Sequence, residues 1–248
     1  MLGLGMTSDV RIGTCGFGRL RQSDYVQTFS TVEIQHTFYQ PPMISTLEKW
    51  RAEAPADFEF TLKAWQVITH EATSPTHKRI KHKFSQNEFE EAGFFKPTMI
   101  VHAARDLTVE CARALNAKTI LFQCPARFQP FPENILNLKR FFTEMDRGDL
   151  NFVWEPRGDW DDRTLKQLCE ELDLWHCVNP FEKRTLTPDR VYYRLHGIPR
   201  WRYTFDDDEL EELAASLPKG KLSYIFFNNI TMKEDALRFE KIVQRIFE

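Results

Sequence analysis

The chain has 248 residues, 42% of them hydrophobic, 13% aromatic (21 Phe among them) and 28% charged. That is enough apolar chain to bury a full core without disulfide or metal staples, and α/β barrels of this length fold as one domain. A net charge of -3 and a pI near 6.2 exclude bulk electrostatic attraction to nucleic acid or an anionic membrane, so any basic surface is local.

The opening MLGLGMTSDV carries neither a basic start nor a long apolar run, and no later segment reaches the roughly 18 apolar residues of a membrane span. The five cysteines, Cys15, Cys111, Cys124, Cys169 and Cys177, include no C-x-x-C pair, which is the usage of reduced thiols. Together these predict a cytoplasmic chain. Strand-type runs then follow in order: VRIGT (10–14), TVEIQ (31–35), FEFTLK (58–63), TILFQ (119–123), NFVWE (151–155), LWHCV (174–178), VYYRL (191–195) and LSYIFF (222–227). Between them lie helical patterns. Leu165, Leu168, Cys169 and Leu172 recur at i, i+3, i+4, i+7, as do Leu210, Leu213, Ala214 and Leu217, both after acidic turns that suit a helix N-terminus. A last helix after Thr231 keeps Ala236, Phe239, Val243 and Ile246 on one face.

Strand–helix alternation predicts a parallel sheet. Eight repeats in this length fit an α/β fold of TIM type, a single (β/α)8 barrel. No G-x-G-x-x-G follows a strand, so a dinucleotide-binding sheet is not indicated. Residues 64–118 are too long for one crossover and predict extra helices between strands three and four, over Asn87–Phe95 and Val101–Asn116. Residues 179–190 are too short for a regular helix, so the barrel is expected to be irregular between strands six and seven.

NFVWEPRGDW (151–160) begins as a buried strand and ends in a carboxylate, a proline and a guanidinium. Proline cannot donate to a ladder, so the strand stops at Glu155. Because residues two apart share a face, Val153, Glu155 and Arg157 oppose Phe152 and Trp154. The same parity sets Glu33 and Gln35 against Val32 and Ile34, Thr61 and Lys63 against Phe60 and Leu62, and Arg194 and His196 against Tyr193 and Leu195. The large apolar sets are expected to face the helices. The polar sets then point into the barrel, late in each strand, where barrel sites are built, and Gln123, Asn228 and Asn229 extend the ring. A structural ion pair is the bland reading of Glu155 and Arg157 alone; four strands repeating the pattern favour a site.

The same stretches carry a family resemblance. VEIQHTFYQPP with Trp50, FEFTLKAWQVITH, LFQCPARF, WEPRGDW, VYYRLHG and IFFNN together resemble the YecE-like family, domain of unknown function 72. The resemblance runs from Ile12 to about Asn229 and implies one TIM-barrel domain over residues 1–248, with no assigned activity. It adds His70 and Tyr39 to the candidate residues. One departure is Gln35, where the family often has Asn, which leaves the contact after strand two open.

Three other features bear on function. THEATSPTHKRIKHK (69–83) gathers His70, His77 and His82 with Lys78, Arg79, Lys81 and Lys83. No acidic or Cys ligand is spaced with those histidines, so a metal is not indicated, whereas a phosphate-contacting loop or a solvated loop both fit. HGIPRWRYTF (196–205) interleaves Arg200 and Arg202 with Trp201 and Tyr203, which suits an anion on a flat group or a plain surface loop. Cys15 and Cys124 follow strand ends and read as packing residues. Glu33 and Glu155 as a two-carboxylate glycosidase pair is a weaker alternative.

The expectation is therefore an enzyme of hydrolase, lyase or isomerase type, with catalysis itself left open. It would use acid/base chemistry on a small anionic substrate, a phosphorylated sugar or nucleotide-like compound. Glu155, Glu33 and His196 are the proton-transfer candidates, and Lys63, Arg157, Arg194, Asn228, His70, Gln123 and Tyr39 the substrate-binding ones. No cofactor and no structural metal are expected, nor a membrane partner. The alternative is a nucleic-acid-handling or non-catalytic barrel gripping a backbone with the 76–83 and 200–203 loops.

Overall fold

A computed structural model describes residues 9–81, 84–197 and 201–247. The chain runs β1 (Val10–Thr14), α1 (Gln22–Tyr25), β2 (Thr31–Ile34), α2 (His36–Tyr39), α3 (Ile44–Glu53), β3 (Glu59–Lys63), a 3-10 turn (Pro75–Arg79), α4 (Gln86–Glu90), α5 (Met99–Leu115), β4 (Thr119–Gln123), α6 (Pro132–Glu144), β5 (Asn151–Glu155), α7 (Asp162–Glu171), β6 (Leu174–Val178), β7 (Val191–Leu195), α8 (Asp207–Ser216), β8 (Ser223–Phe227) and α9 (Met232–Phe247). The strands form one sheet in the order β1-β8-β7-β6-β5-β4-β3-β2. Its registers run parallel from β1 to β8, β8 to β7, β7 to β6, β5 to β4 and β4 to β3. A parallel bridge joins Cys15, just after β1, to Glu33 of β2. This is the TIM-type barrel that the alternation predicts. Among the described residues no helix separates β6 from β7, as the short connection implies.

The strands match the apolar runs to within a residue; the long connection after β3 differs more. Ser85 opens α4 with a capping box to Glu88, but the helix stops at Glu90 instead of reaching Phe95. Gly93, Phe94 and Phe95 take φ of 84°, 56° and 54°, a left-handed run no helix can include. Helix α5 starts two residues earlier than its periodicity suggests and ends on Asn116, whose φ of 51° forms a left-handed cap.

By compactness the chain divides into two units. The first comprises Met1–Glu33, Pro55–Glu59 and Trp175–Glu248, the second Ile34–Ala54 and Phe60–Leu174. In the first, α8 and α9 pack on each other, and Phe227 of β8 meets Phe239 of α9 at 5.7 Å. Buried Asp235 fastens this layer by accepting from the Phe205 N–H, Asn229 Nδ2 and Arg238. In the second, Phe95, Phe122, Phe141, Phe142 and Phe152 form one ring cluster with centroids 5.0 to 6.3 Å apart. Such edge-to-face and tilted contacts hold a dense apolar layer. Phe152 turns to Phe142 of α6, and Phe60 lies under Arg51 of α3, so these apolar residues face helices.

No helix among the described residues is long and apolar enough to cross a membrane.

Candidate functional site

The end of β5 answers the question its sequence raises. Glu155 is 7% exposed and stands opposite Gln123 in the β4–β5 register. Its Oε1 accepts from Arg157 Nη2 at 2.8 Å and Nε at 3.1 Å, and its Oε2 accepts from Gln123 Nε2 at 2.9 Å. Gln123 Oε1 in turn accepts from Lys63 Nζ at 2.6 Å. The charges fix the amide orientation: only its oxygen suits the ammonium and only its nitrogen the carboxylate. Strand parity, Pro156 and register together thus produce a chain Lys63–Gln123–Glu155–Arg157, running from buried lysine to exposed arginine.

The loop beyond it is held by close packing. A Cβ on Gly158 would lie 2.3 Å from the Phe128 carbonyl oxygen, so only glycine permits the approach. Trp160 Nε1 donates to that same carbonyl at 2.8 Å and its ring packs on Phe128 and Trp154. The loop carrying Arg157 is therefore anchored to the loop after β4.

Helix α2 supplies an aromatic floor. Lys63 Nζ lies 3.5 Å from the Phe38 ring centroid, a cation–π contact, and His70 meets the same ring edge-on at 5.1 Å. Thr37 donates to the Lys63 carbonyl and fixes the helix to the strand end. His70 Nδ1 pairs with the Thr69 hydroxyl at 2.8 Å. Burial first, and then the positive charges of Lys63, His77 and Arg157, pull the His70 imidazole down to about 3, against a smaller opposing effect of Glu155. His70 is neutral near pH 7, and the field it feels from its own unit is positive.

In the first unit Glu33 is fully buried. Arg194, 1% exposed, gives Nε and Nη2 to Glu33 Oε1 at 3.1 and 3.0 Å, while Tyr192 Oη donates to Oε2 at 2.7 Å. Arg194 Nη2 also reaches Cys15 Sγ at 3.5 Å, and burial pushes that thiol well up, so it stays protonated. At the half-buried end, His196 Nε2 lies 3.4 Å from Arg194 Nη1 and Nδ1 lies 3.0 Å from Asn228 Nδ2. A guanidinium has no acceptor, so Nε2 is the acceptor there. The ring proton belongs on Nδ1, with the Asn228 amide oxygen turned to meet it.

The ten candidate residues thus form two groups, Glu33, Arg194, His196 and Asn228 in the first unit and Tyr39, Lys63, His70, Gln123, Glu155 and Arg157 in the second. Tyr192 and Phe38 escaped the sequence reading. Both had a signal: Tyr192 shares the parity of Arg194, and Phe38 lies two residues after His36 in the family-like motif. Cys124 is buried and takes the Trp154 indole N–H at 3.2 Å, as a packing residue does. Trp201 is exposed with the Arg202 guanidinium 5.2 Å from its ring, and Asn229 pins the adjacent Tyr203 carbonyl. His82, Lys83 and Arg200 lie outside the described residues. Among the described residues no set of three or more His, Cys, Asp or Glu side chains gathers as for a metal ion.

The sequence model described as "Protein of unknown function DUF72" matches residues 18–248. The UPF0759 protein YunF of Bacillus subtilis (strain 168) is 24% identical over 241 residues, covering 83% of this chain and 79% of that protein. Among solved structures, a DUF72 family protein from Enterococcus faecalis V583 superposes with TM-score 0.74 at 18% identity, over 95% of each chain. A second, from Thermotoga maritima MSB8, does so with TM-score 0.67 at 19% identity, over 95% of this chain and 99% of that one.

Proposed function

The chain belongs to the DUF72 family, whose function is unknown, and we propose that this member is an enzyme that binds a small anionic compound, a phosphorylated sugar or nucleotide-like molecule, and moves a proton on it. The observation that carries this reading is the Lys63–Gln123–Glu155–Arg157 chain at the ends of β3, β4 and β5. Arg157, exposed and held by Glu155, presents a guanidinium that an incoming anion can reach. Lys63 and Arg157 set the positive field that neutral His70 feels, a field in which an anion is favoured and in which the imidazole can donate or accept a hydrogen bond without carrying charge. Glu155 is the proton-transfer group, because it lies between the two cations and is tied to the anion-binding arginine. General acid/base catalysis by one such group is worth roughly 10²–10⁴-fold.

Glu33 and His196 are the other proton-transfer candidates. In this proposal Glu33 instead holds Arg194 in place, since it is fully buried and pairs with a guanidinium that is itself only 1% exposed, and His196 with Asn228 offers hydrogen bonds to substrate.

A thermal-shift screen tests the reading. Phosphate, sulfate and sugar phosphates should raise Tm by mass action, Arg157→Ala should remove that rise, and Glu155→Gln should keep the binding while ending turnover. Neutral sugars stabilising the protein while every anion fails would replace this reading with a glycosidase-like site.

A further inference from the structure

The basic turn Pro75–Arg79 follows β3 and carries His77, Lys78 and Arg79. Arg79 is exposed, and its guanidinium lies 4.4 Å from the centroid of the Tyr39 ring. Among the described residues neither Arg79 nor its exposed neighbours Lys78 and Lys81 pairs with a carboxylate. The turn is nonetheless held firmly. Gln66, wholly buried, donates from Nε2 to both the Tyr39 carbonyl at 3.2 Å and the Thr76 carbonyl at 3.3 Å, and Gln40 Oε1 accepts the Lys81 N–H at 2.9 Å. A side chain buried in the second unit thus ties the basic turn to α2.

Helix α2 links this turn to the inner site. Phe38 and Tyr39 are consecutive, with ring centroids 5.0 Å apart; Phe38 carries Lys63 at 3.5 Å and Tyr39 carries Arg79 at 4.4 Å. By the triangle inequality those three legs keep the two cationic centres within about 13 Å of each other. Two cations thus sit on adjacent rings of one short helix, one buried and one exposed on a stapled turn, near enough for one small molecule to span them.

We propose that Arg79, seated on Tyr39 and flanked by Lys78 and Lys81, is a second anion subsite, and that the substrate class is a small compound with phosphate groups at two ends, such as a sugar bisphosphate. This rests on the reading of the Lys63–Arg157 group as the first anion site. A stacked guanidinium keeps its N–H fork free to grip a phosphate in two-point fashion. Joining two subsites through one ligand makes the second contact intramolecular, which raises affinity without new protein groups. A net charge of -3 argues against a polyanion tracking the surface, so a small ligand is favoured over a nucleic acid strand.

The test is calorimetric titration of the full chain with inorganic phosphate, fructose 6-phosphate, fructose 1,6-bisphosphate and a single-stranded oligonucleotide. The bisphosphate should bind at least about tenfold more tightly than the monophosphate. Arg79→Ala, and separately the Lys78→Ala/Lys81→Ala pair, should erase that preference and leave the affinity for inorganic phosphate unchanged. Equal affinity for the two sugars, or a preference that survives Arg79→Ala, overturns the proposal. So does Arg79-dependent binding of the oligonucleotide alone. Arg157→Ala separates the two readings: it should weaken phosphate and bisphosphate alike. If it weakens neither while Arg79→Ala weakens the bisphosphate, the second subsite stands and the inner anion site fails.

Discussion

Tyr192 and Arg194, two residues apart on β7, divide the Glu33 carboxylate between them: the phenol takes Oε2 at 2.7 Å and the guanidinium takes Oε1 at 3.0 Å. With Glu33 fully buried and Arg194 1% exposed, removal of either charge strands the other. Breaking a buried pair costs about 3–5 kcal/mol. Arg194→Ala and Glu33→Ala should each lower stability by that order in urea or guanidinium unfolding, and the double variant should lose less than the two together. Tyr192→Phe should cost about 1.5–3 kcal/mol, the range for a hydrogen bond to a charged group. Additive losses in Glu33→Ala and Arg194→Ala would show that the pair does not stabilise the fold.

Gln123 should be irreplaceable by an apolar residue of similar size. Gln123→Leu removes hydrogen bonds to Lys63 and to Glu155, each of the charged kind worth about 1.5–3 kcal/mol. Gln123→Glu places a carboxylate against Glu155 while offering Lys63 a counter-charge. Unfolding titrations should rank Leu as the more damaging replacement at neutral pH, and the reverse order would mean that the amide donor to Glu155 matters more than the acceptor for Lys63.

His70 makes stability fall as pH is lowered. Its folded-state value of about 3 lies below the ordinary 6.5, so between those limits the unfolded chain binds the proton that the folded chain refuses. Stability therefore declines as pH drops from about 6.5 towards 3, with a slope of up to about 1.4 kcal/mol per pH unit from this residue. His70→Gln should flatten the stability profile between pH 6 and 4 (a range on the order of two units set by the same shift). An NMR titration of the His70 ring that shows protonation near pH 6.5 would contradict the burial argument.

Gly158→Ala should loosen the loop after β5 without disturbing the strand. A Cβ 2.3 Å from the Phe128 carbonyl oxygen forces the backbone apart, a strain costing about 1–3 kcal/mol. Trp160, whose indole donates to that same carbonyl, reports the change. Its fluorescence should shift, and anion-induced stabilisation through Arg157 should weaken, whereas an unchanged spectrum would mean that the loop tolerates the methyl group.

The sequence by itself determined the strands, their faces and their ends. Alternation is a local property of extended chain, so Phe152 against Glu155 and Phe60 against Lys63 could be assigned from spacing two residues apart, and Pro156 marks its own strand end. Helix ends governed by backbone sign were less legible: nothing in the run Gly93–Phe95 announces three consecutive left-handed residues, two of them phenylalanine. Pairings across strands came only from the tertiary structure. Gln123 bridges Lys63 and Glu155 because the β4–β5 register sets Gln123 opposite Glu155 while Lys63 stands opposite Leu121 and reaches diagonally with its long side chain. Likewise Phe38 beneath Lys63, and Tyr39 beneath Arg79, follow from where a four-residue helix is fixed by Thr37 and Gln66. Such contacts join residues far apart in the chain, and their geometry is set by register and side-chain reach, which a local pattern does not encode.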